Sequence, residues 1–207
     1  MQEEKIRKNY RFADNKDYWE KRWAAIPADA PMENLSVYPI KYANLTIEND
    51  KGGKILEAGC GAGRVLRYFH NRGYKIKGFD FIKVAIDKLK EVDATLDVEV
   101  GDITDVKYSD ASFKYVLSFG LYHNLDDTLD QAIAETYRIL EVNGKVCASF
   151  RADNIQTKLT DWHANRRENV NNKNTLKKSF HKMNLTKKEF IKLFENKGFN
   201  IRVCRVS

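Results

Sequence analysis

An α/β fold built on a doubly wound, mostly parallel sheet is what this sequence predicts, on three observations. The short apolar run Lys54-Ile55-Leu56 ends in Glu57, and Gly59, Gly61 and Gly63 then alternate with small residues before a helix-like segment. Strand-like and helix-like segments alternate from Lys54 to about Phe150, the pattern of a parallel sheet joined by crossover helices. Two later strand-like runs each close on an acid, Asp80 and Asp102.

Taken in order, residues 1–50 precede the first strand as an N-terminal helical arm. Tyr10, Phe12, Tyr18, Trp19 and Trp23 cluster there, and Trp19 and Trp23, four apart, share one helix face. That face reads either as a staple packing the arm on the domain or as a lid over a ligand. Residues 51–207 form the domain itself. Its glycine turn suits a backbone that comes very close to a ligand, since glycine offers no side chain to block the approach and tolerates positive φ. A helix follows over Ala62 to Arg72, then a strand over Gly73 to Asp80, a helix over Lys83 to Glu91 and a strand over Val98 to Ile103. Ser112 to Leu125 reads as a fourth strand and its loop, Asp127 to Leu140 as a long helix, and Glu141 to Val146 as a turn entering a fifth strand.

Residues 152–184 are polar, rich in Asn, Lys and Thr, and too long for an ordinary loop. A helix around Thr157 to Arg167 and a mobile section around 169–174 are expected within them. Thr186 and Glu189 match a capping box opening a helix with Phe190, Ile191, Leu193 and Phe194 inward. Phe199 to Val206 reads as a sixth strand.

At 207 residues and with 43% hydrophobic composition, the chain suits one domain with a real core and a modest extension. Its start is too polar for a signal peptide, no apolar run approaches membrane-spanning length, and cytoplasmic localisation is expected. Cys60, Cys147 and Cys204 show no metal-ligand spacing and read as reduced thiols. The net charge of +7 resides wholly between Arg151 and Lys197, where twelve Lys or Arg face five acids. This segment reads as a docking surface for nucleic acid or an anionic partner, or as a solvated face. The lack of interleaved aromatics favours the solvated face.

Together, Glu57-x-Gly59-x-Gly61-x-Gly63, the acids Asp80 and Asp102 and the run from Ser112 to Leu125 resemble the Rossmann-like domain of class I methyltransferases dependent on S-adenosylmethionine (SAM), over about residues 54–151. Arg64 stands where a dinucleotide fingerprint has its third glycine, which argues against a nicotinamide enzyme. The resemblance implies SAM as cofactor. Glu57, Ala58, Gly59, Cys60, Gly61, Gly63 and Arg64 would form its loop, Asp80 would bind the ribose, Asp102 the adenine amine, and Phe81 and Ile103 would sandwich the ring. The backbone near Phe119 would line the methionine side. Lys114 departs from the family, which commonly has an acid there, and no residues remain for the family's seventh strand, so that the strand is expected to be missing.

His123 follows the fourth strand and is the candidate general base, with Tyr122 a weaker contributor to the acceptor pocket. His163 reads as facing either the acceptor or solvent, and His70 and His181 as surface residues. Methyl transfer to an oxygen or nitrogen of a small-molecule acceptor is the function these features favour. An RNA or protein methyltransferase docking through residues 151–197, and a non-catalytic SAM-binding module, are the alternatives.

Overall fold

Strands covered on both faces bury side chains in both directions instead of alternating apolar with polar. The central strand does this: Ile55, Leu56, Glu57 and Ala58 are all buried, Ile55 against one helical layer and Leu56 and Ala58 against the other. The computed structural model describes residues 6–12, 14–28, 32, 34, 36–171 and 178–202. In chain order its elements begin β1 (Arg7–Arg11), α1 (Asn15–Ala25), α2 (Ile40–Ile47), β2 (Ile55–Ala58), α3 (Arg64–His70), β3 (Ile76–Asp80) and α4 (Lys83–Val92). They continue β4 (Asp97–Val100), β5 (Phe113–Ser118), α5 (Leu129–Ile139), β6 (Leu140–Ala148), α6 (Ile155–Asn171), β7 (Ser179–Asn184) and α7 (Lys187–Glu195), with a short 3-10 turn at Tyr122–Asn124.

The sheet has five strands in the order β4-β3-β2-β5-β6, every pair parallel. Helices α2, α3 and α4 cover one face with Ile40, Ile47, Leu66, Phe69, Ile86 and Leu89. Helices α5 and α7 cover the other with Ile133, Ile139 and Phe194, joined by Met183 of β7. The chain runs outward from β2 to β4, then returns to the opposite side of β2 as β5. That reversal opens a crevice at the carboxyl ends of β2 and β5, where ligands of open α/β sheets bind.

The predicted turn before the fifth strand is instead a bulge within β6. Phe113 and Tyr115, two apart, face Leu140 and Lys145, five apart, and Asn143 adopts φ 63° to absorb the difference. The capping box is present, with the Glu189 N–H donating to Thr186 Oγ1 and the Glu189 carboxylate accepting the Thr186 N–H. Ile191, predicted inward, lines the outer side of α7 with Lys188 and Lys192, whereas Phe190, Leu193 and Phe194 do pack inward. Helix α6 continues through Asn171, so residues 169–171 of the expected mobile section are helical, and 172–174 lie outside the described residues. Phe199 and Ile201 pack on the core, but residues 199–202 form no strand; 203–206 of the predicted sixth strand, and Cys204, lie outside the described residues.

The arm does not begin as a helix. β1 pairs antiparallel with β7, Arg7 opposite Asn184 and Arg11 opposite Ser179, and a parallel bridge from Ala152 to Leu185 ties this ribbon to the end of β6. Lys114, the family departure, forms an exposed ion pair with Asp50 at 2.7 Å. Among the described residues no helix is long and apolar enough to cross a membrane.

Candidate active site

Glu57, the glycine turn, Asp80, Asp102 and Phe119 stand at or just beyond the carboxyl ends of β2, β3, β4 and β5. Gly59, Gly61 and Gly63 leave β2 with φ of 71°, 52° and 67°, a region side chains disfavour. A Cβ at Gly63 would stand 2.5 Å from Leu89 Cδ2, so this glycine lets α3 start against α4. A Cβ at Gly61 would stand 2.5 Å from Trp23 Cζ2, because α1 lays its tryptophan on the turn. Ala58 and Cys60 are buried within the turn and Arg64, at the start of α3, is exposed.

Asp80 ends β3 beside the turn. Its two carboxylate oxygens accept the Gly61 N–H and the Ile82 N–H, each at 2.9 Å. Burial raises its pKa against those two bonds. Glu57 is buried, and its Oε2 has no hydrogen-bond partner. Burial lifts this carboxyl to about 8; the Leu66 N–H and the Arg64 charge pull it down, and the Asp80 charge pushes it up. Asp102, one strand further out, accepts the N–H and hydroxyl of Thr104 on Oδ1, both at 2.8 Å. Phe81 is half exposed with Lys16 Nζ 5.5 Å from its ring centre, while Ile103 is buried in the core. Of the predicted sandwich, Phe81 is therefore the open face.

The other wall comes from β5 and β6. Phe119 meets Tyr38 edge-on at 5.8 Å, Tyr38 Oη bonds Ser149 Oγ at 2.8 Å, and Ser149 Oγ accepts the Gly120 N–H at 2.9 Å. Leu121 packs on Gly59. Tyr122 is fully buried and bonds Thr136 at 2.7 Å, which makes it a core residue rather than a pocket wall. His123 stands on the 3-10 turn with Phe150 edge-on at 5.8 Å, and its Nδ1 is buried without a partner. Burial, then the charges of Arg151 and Lys182, lower its pKa to about 4.

His181, expected at the surface, is buried against Tyr18 at 5.1 Å; burial and the charges of Arg11 and Lys182 lower it to about 3. His163 is exposed and meets the Trp162 ring edge-on at 4.8 Å, and His70 bonds Thr95 at 3.1 Å. The sequence offers Trp23 as half of a staple or lid, but it does not single out Leu121, Tyr38, Ser149, Arg151 and Lys182 as site residues, because each reaches the crevice through tertiary packing.

Helix α1 lies against the glycine turn through Trp23. Trp19 and Trp23 stack at 5.6 Å with planes 24° apart. The helix buries none of its own residues, so it lacks the roughly 2 kcal/mol that each fully buried large side chain brings to the core helices. It is held at its two ends instead: Asn15 Nδ2 donates to Asn124 O at 3.2 Å, and Lys88 Nζ donates to the carbonyls of Trp23, Ala24 and Ile26 at 3.0, 2.5 and 3.2 Å. Lys88 thereby offsets the partial negative charge at the carboxyl end of α1.

Residues 56–148 match a family described as "Methyltransferase domain". Two malonyl-[acyl-carrier protein] O-methyltransferases are similar over part of the chain. That of Serratia marcescens is 29% identical over 110 residues, 53% of this chain and 43% of the relative. That of Enterobacter lignolyticus is 27% identical over 112 residues, 54% of this chain and 44% of the relative. The chain thus spans less than half the length of these relatives. Among solved structures, a SAM-dependent methyltransferase from Methanosarcina mazei superposes with TM-score 0.67 at 20% identity, over 83% of this chain and 89% of that one. An S-adenosylmethionine-dependent methyltransferase from Mesorhizobium loti superposes with TM-score 0.62 at 17% identity, over 82% and 85%. At these identities the likeness is one of fold.

Proposed function

We propose that this chain, which belongs by its domain and its fold to the class I SAM-dependent methyltransferases, binds SAM in the β2–β5 crevice and transfers its methyl group to an oxygen or nitrogen of a small-molecule acceptor. The observation that carries the reading is the joint placement of Glu57, the glycine turn and Asp80 at one end of adjacent strands. The residues fit the cofactor. Asp80 already holds the turn through Gly61, and its carboxylate suits a pair of ribose hydroxyls. Glu57 Oε2, buried and unpartnered, suits a cationic or hydrogen-bonding group entering beside Gly59.

When bound, SAM supplies an electrophilic methyl on a sulfonium, so the protein chiefly positions reactants and excludes water. Gly59, Gly61 and Gly63 let the backbone approach the methionine part, with Ala58, Cys60 and Arg64 completing the loop. Phe119 lines its far side. Asp102 would hold the adenine amine, and Phe81 would stack on the ring with Ile103 in the core behind it. Trp23 and Trp19 act as a lid: α1 sits on the turn, yet buries no residue of its own and so can lift to admit ligands. His123 is the hydrogen-bonding and acid–base group on the acceptor side. It stays neutral near pH 7, and its free Nδ1 can accept a proton or a hydrogen bond.

Calorimetric titration with SAM and its demethylated product, S-adenosylhomocysteine (SAH), tests the reading. Micromolar binding that Asp80→Ala abolishes supports it. A folded chain that binds neither compound overturns it.

A further inference from the structure

Beside the crevice, the described residues gather more cations than carboxylates. Asp161 of α6 is buried and receives Arg7 at 2.6 Å, Arg151 at 2.7 Å and Lys182 at 3.2 Å. Arg7 continues to Asp153 at 2.7 Å, and Lys158 approaches the same acid at 3.7 Å. Arg11 adds a further cation over the Tyr18 ring at 4.4 Å, the ring that packs on His181. Among the described residues, two carboxylates thus serve four cations, Arg7, Arg151, Lys158 and Lys182, with Arg11 a fifth close by. Asn184 bridges Arg151 and Asp161 at 2.7 and 3.1 Å but contributes no charge.

Placement ties this cluster to the crevice. Arg151 lies three residues beyond the end of β6, on the same end of the sheet as Ser149 and the glycine turn. His123, whose Nδ1 has no partner, packs edge-on at 5.8 Å against Phe150, the residue before Arg151, close enough for the Arg151 and Lys182 charges to act on it. Arg151 and Lys182 each keep 17% of their side-chain surface open, enough to meet a ligand. Cations withdrawn from water and short of counter-charge are costly unless an anion completes them.

We infer that this cluster recognises the acceptor, and that the acceptor carries an anionic oxygen group, a carboxylate or a phosphate, seated on Arg151 and Lys182 beside His123. The planar fork of arginine suits either oxyanion, and lysine adds a point charge. An acceptor whose own cationic amine sat at this place would meet like charge. The assignment of the bound molecule as methyl acceptor rests on the function proposed above, whereas the anion site itself does not.

The test uses the full chain, saturated with SAH, titrated calorimetrically with sodium malonate, inorganic phosphate and neutral malonamide. At least one anion binds and malonamide does not; which anion binds separates carboxylate from phosphate. Arg151→Gln and Lys182→Gln each weaken that anion about tenfold or more, while SAH affinity stays within roughly twofold, and Arg151→Lys recovers part of the loss. The retained SAH affinity shows that the variants fold, and Lys182→Met serves where Lys182→Gln does not. Anion binding unchanged in these variants, equal binding of malonamide, or no anion binding at all overturns the inference. Should SAH itself fail to bind, the cofactor reading falls, and the same anion titrations on the free chain still decide the site.

Discussion

Trp23 lies on Gly61: a single methyl group at that glycine would stand 2.5 Å from the indole Cζ2, and the turn holds φ 52° there. Gly61→Ala therefore meets both a displaced lid and a strained backbone. SAM affinity is expected to fall about tenfold or more, roughly 1.4 kcal/mol or greater. Trp23→Ala in the same background relieves the collision but not the strain, so it restores only part of the loss. Full recovery in the double variant would show that the strain contributes nothing.

Lys88 is the tether at the other end of the lid, with three carbonyls of α1 and its C-cap within reach of one ammonium. Lys88→Met should speed amide hydrogen exchange in residues 15–25 and leave β2 and β3 unchanged. Bound SAM should slow exchange in the wild-type helix. An unchanged α1 in the variant would mean that the tryptophan stack alone holds it.

Glu57 makes the ligand-free protein sensitive to alkali. A carboxyl raised from 4.5 to about 8 in the folded state favours folding below 4.5, and that contribution is lost as pH climbs towards 8. Glu57→Gln removes the dependence. The melting temperature of the variant relative to wild type is expected to rise between about pH 5 and about pH 8.5, by the equivalent of a few kcal/mol at most. A difference that stays flat with pH would place the Glu57 carboxyl in its ordinary range.

The histidines act in the opposite direction. His123 and His181 titrate near 6.5 when unfolded but at about 4 and about 3 when folded. The unfolded chain thus takes up protons first, and stability falls as pH drops below 6.5. Between about pH 7 and pH 5, His181→Phe should lose about 1–2 kcal/mol less than wild type, read from urea midpoints. Equal losses would exclude His181 as a source of the acid sensitivity.

What the sequence made legible is what local chemistry dictates. Glu57, the three glycines, Asp80 and Asp102 each follow an apolar run, and Thr186 and Glu189 lie three apart, so strand ends and helix cap announce themselves within a few residues. β1 and β7 did not. Arg7-Lys8-Asn9-Tyr10-Arg11 and Ser179 to Asn184 are too polar to read as strands, and their pairing joins positions 177 residues apart at the Arg7–Asn184 register. The gathering of cations on Asp161 depends on that pairing and on α6 and leaves no local trace, whereas the Trp19 and Trp23 spacing hinted at a cover without showing that Gly61 lies under it. The bulge in β6 escaped for another reason: Glu141 to Gly144 carries a turn composition that the strand absorbs at Asn143.

The β1–β7 ribbon has a consequence for how the protein is made. The glycine turn and both acids are complete once residue 118 and its sheet neighbours have emerged, but the strand that leads into α1 has no partner until residue 184 has been synthesised. In a growing chain β1 therefore stays unpaired for much of its synthesis, and forming the ribbon is among the last events of folding. The ribbon thus records that translation has passed β7: a chain cut short before that point keeps the Asn124 and Lys88 contacts of α1 but leaves the strand ahead of it without a partner.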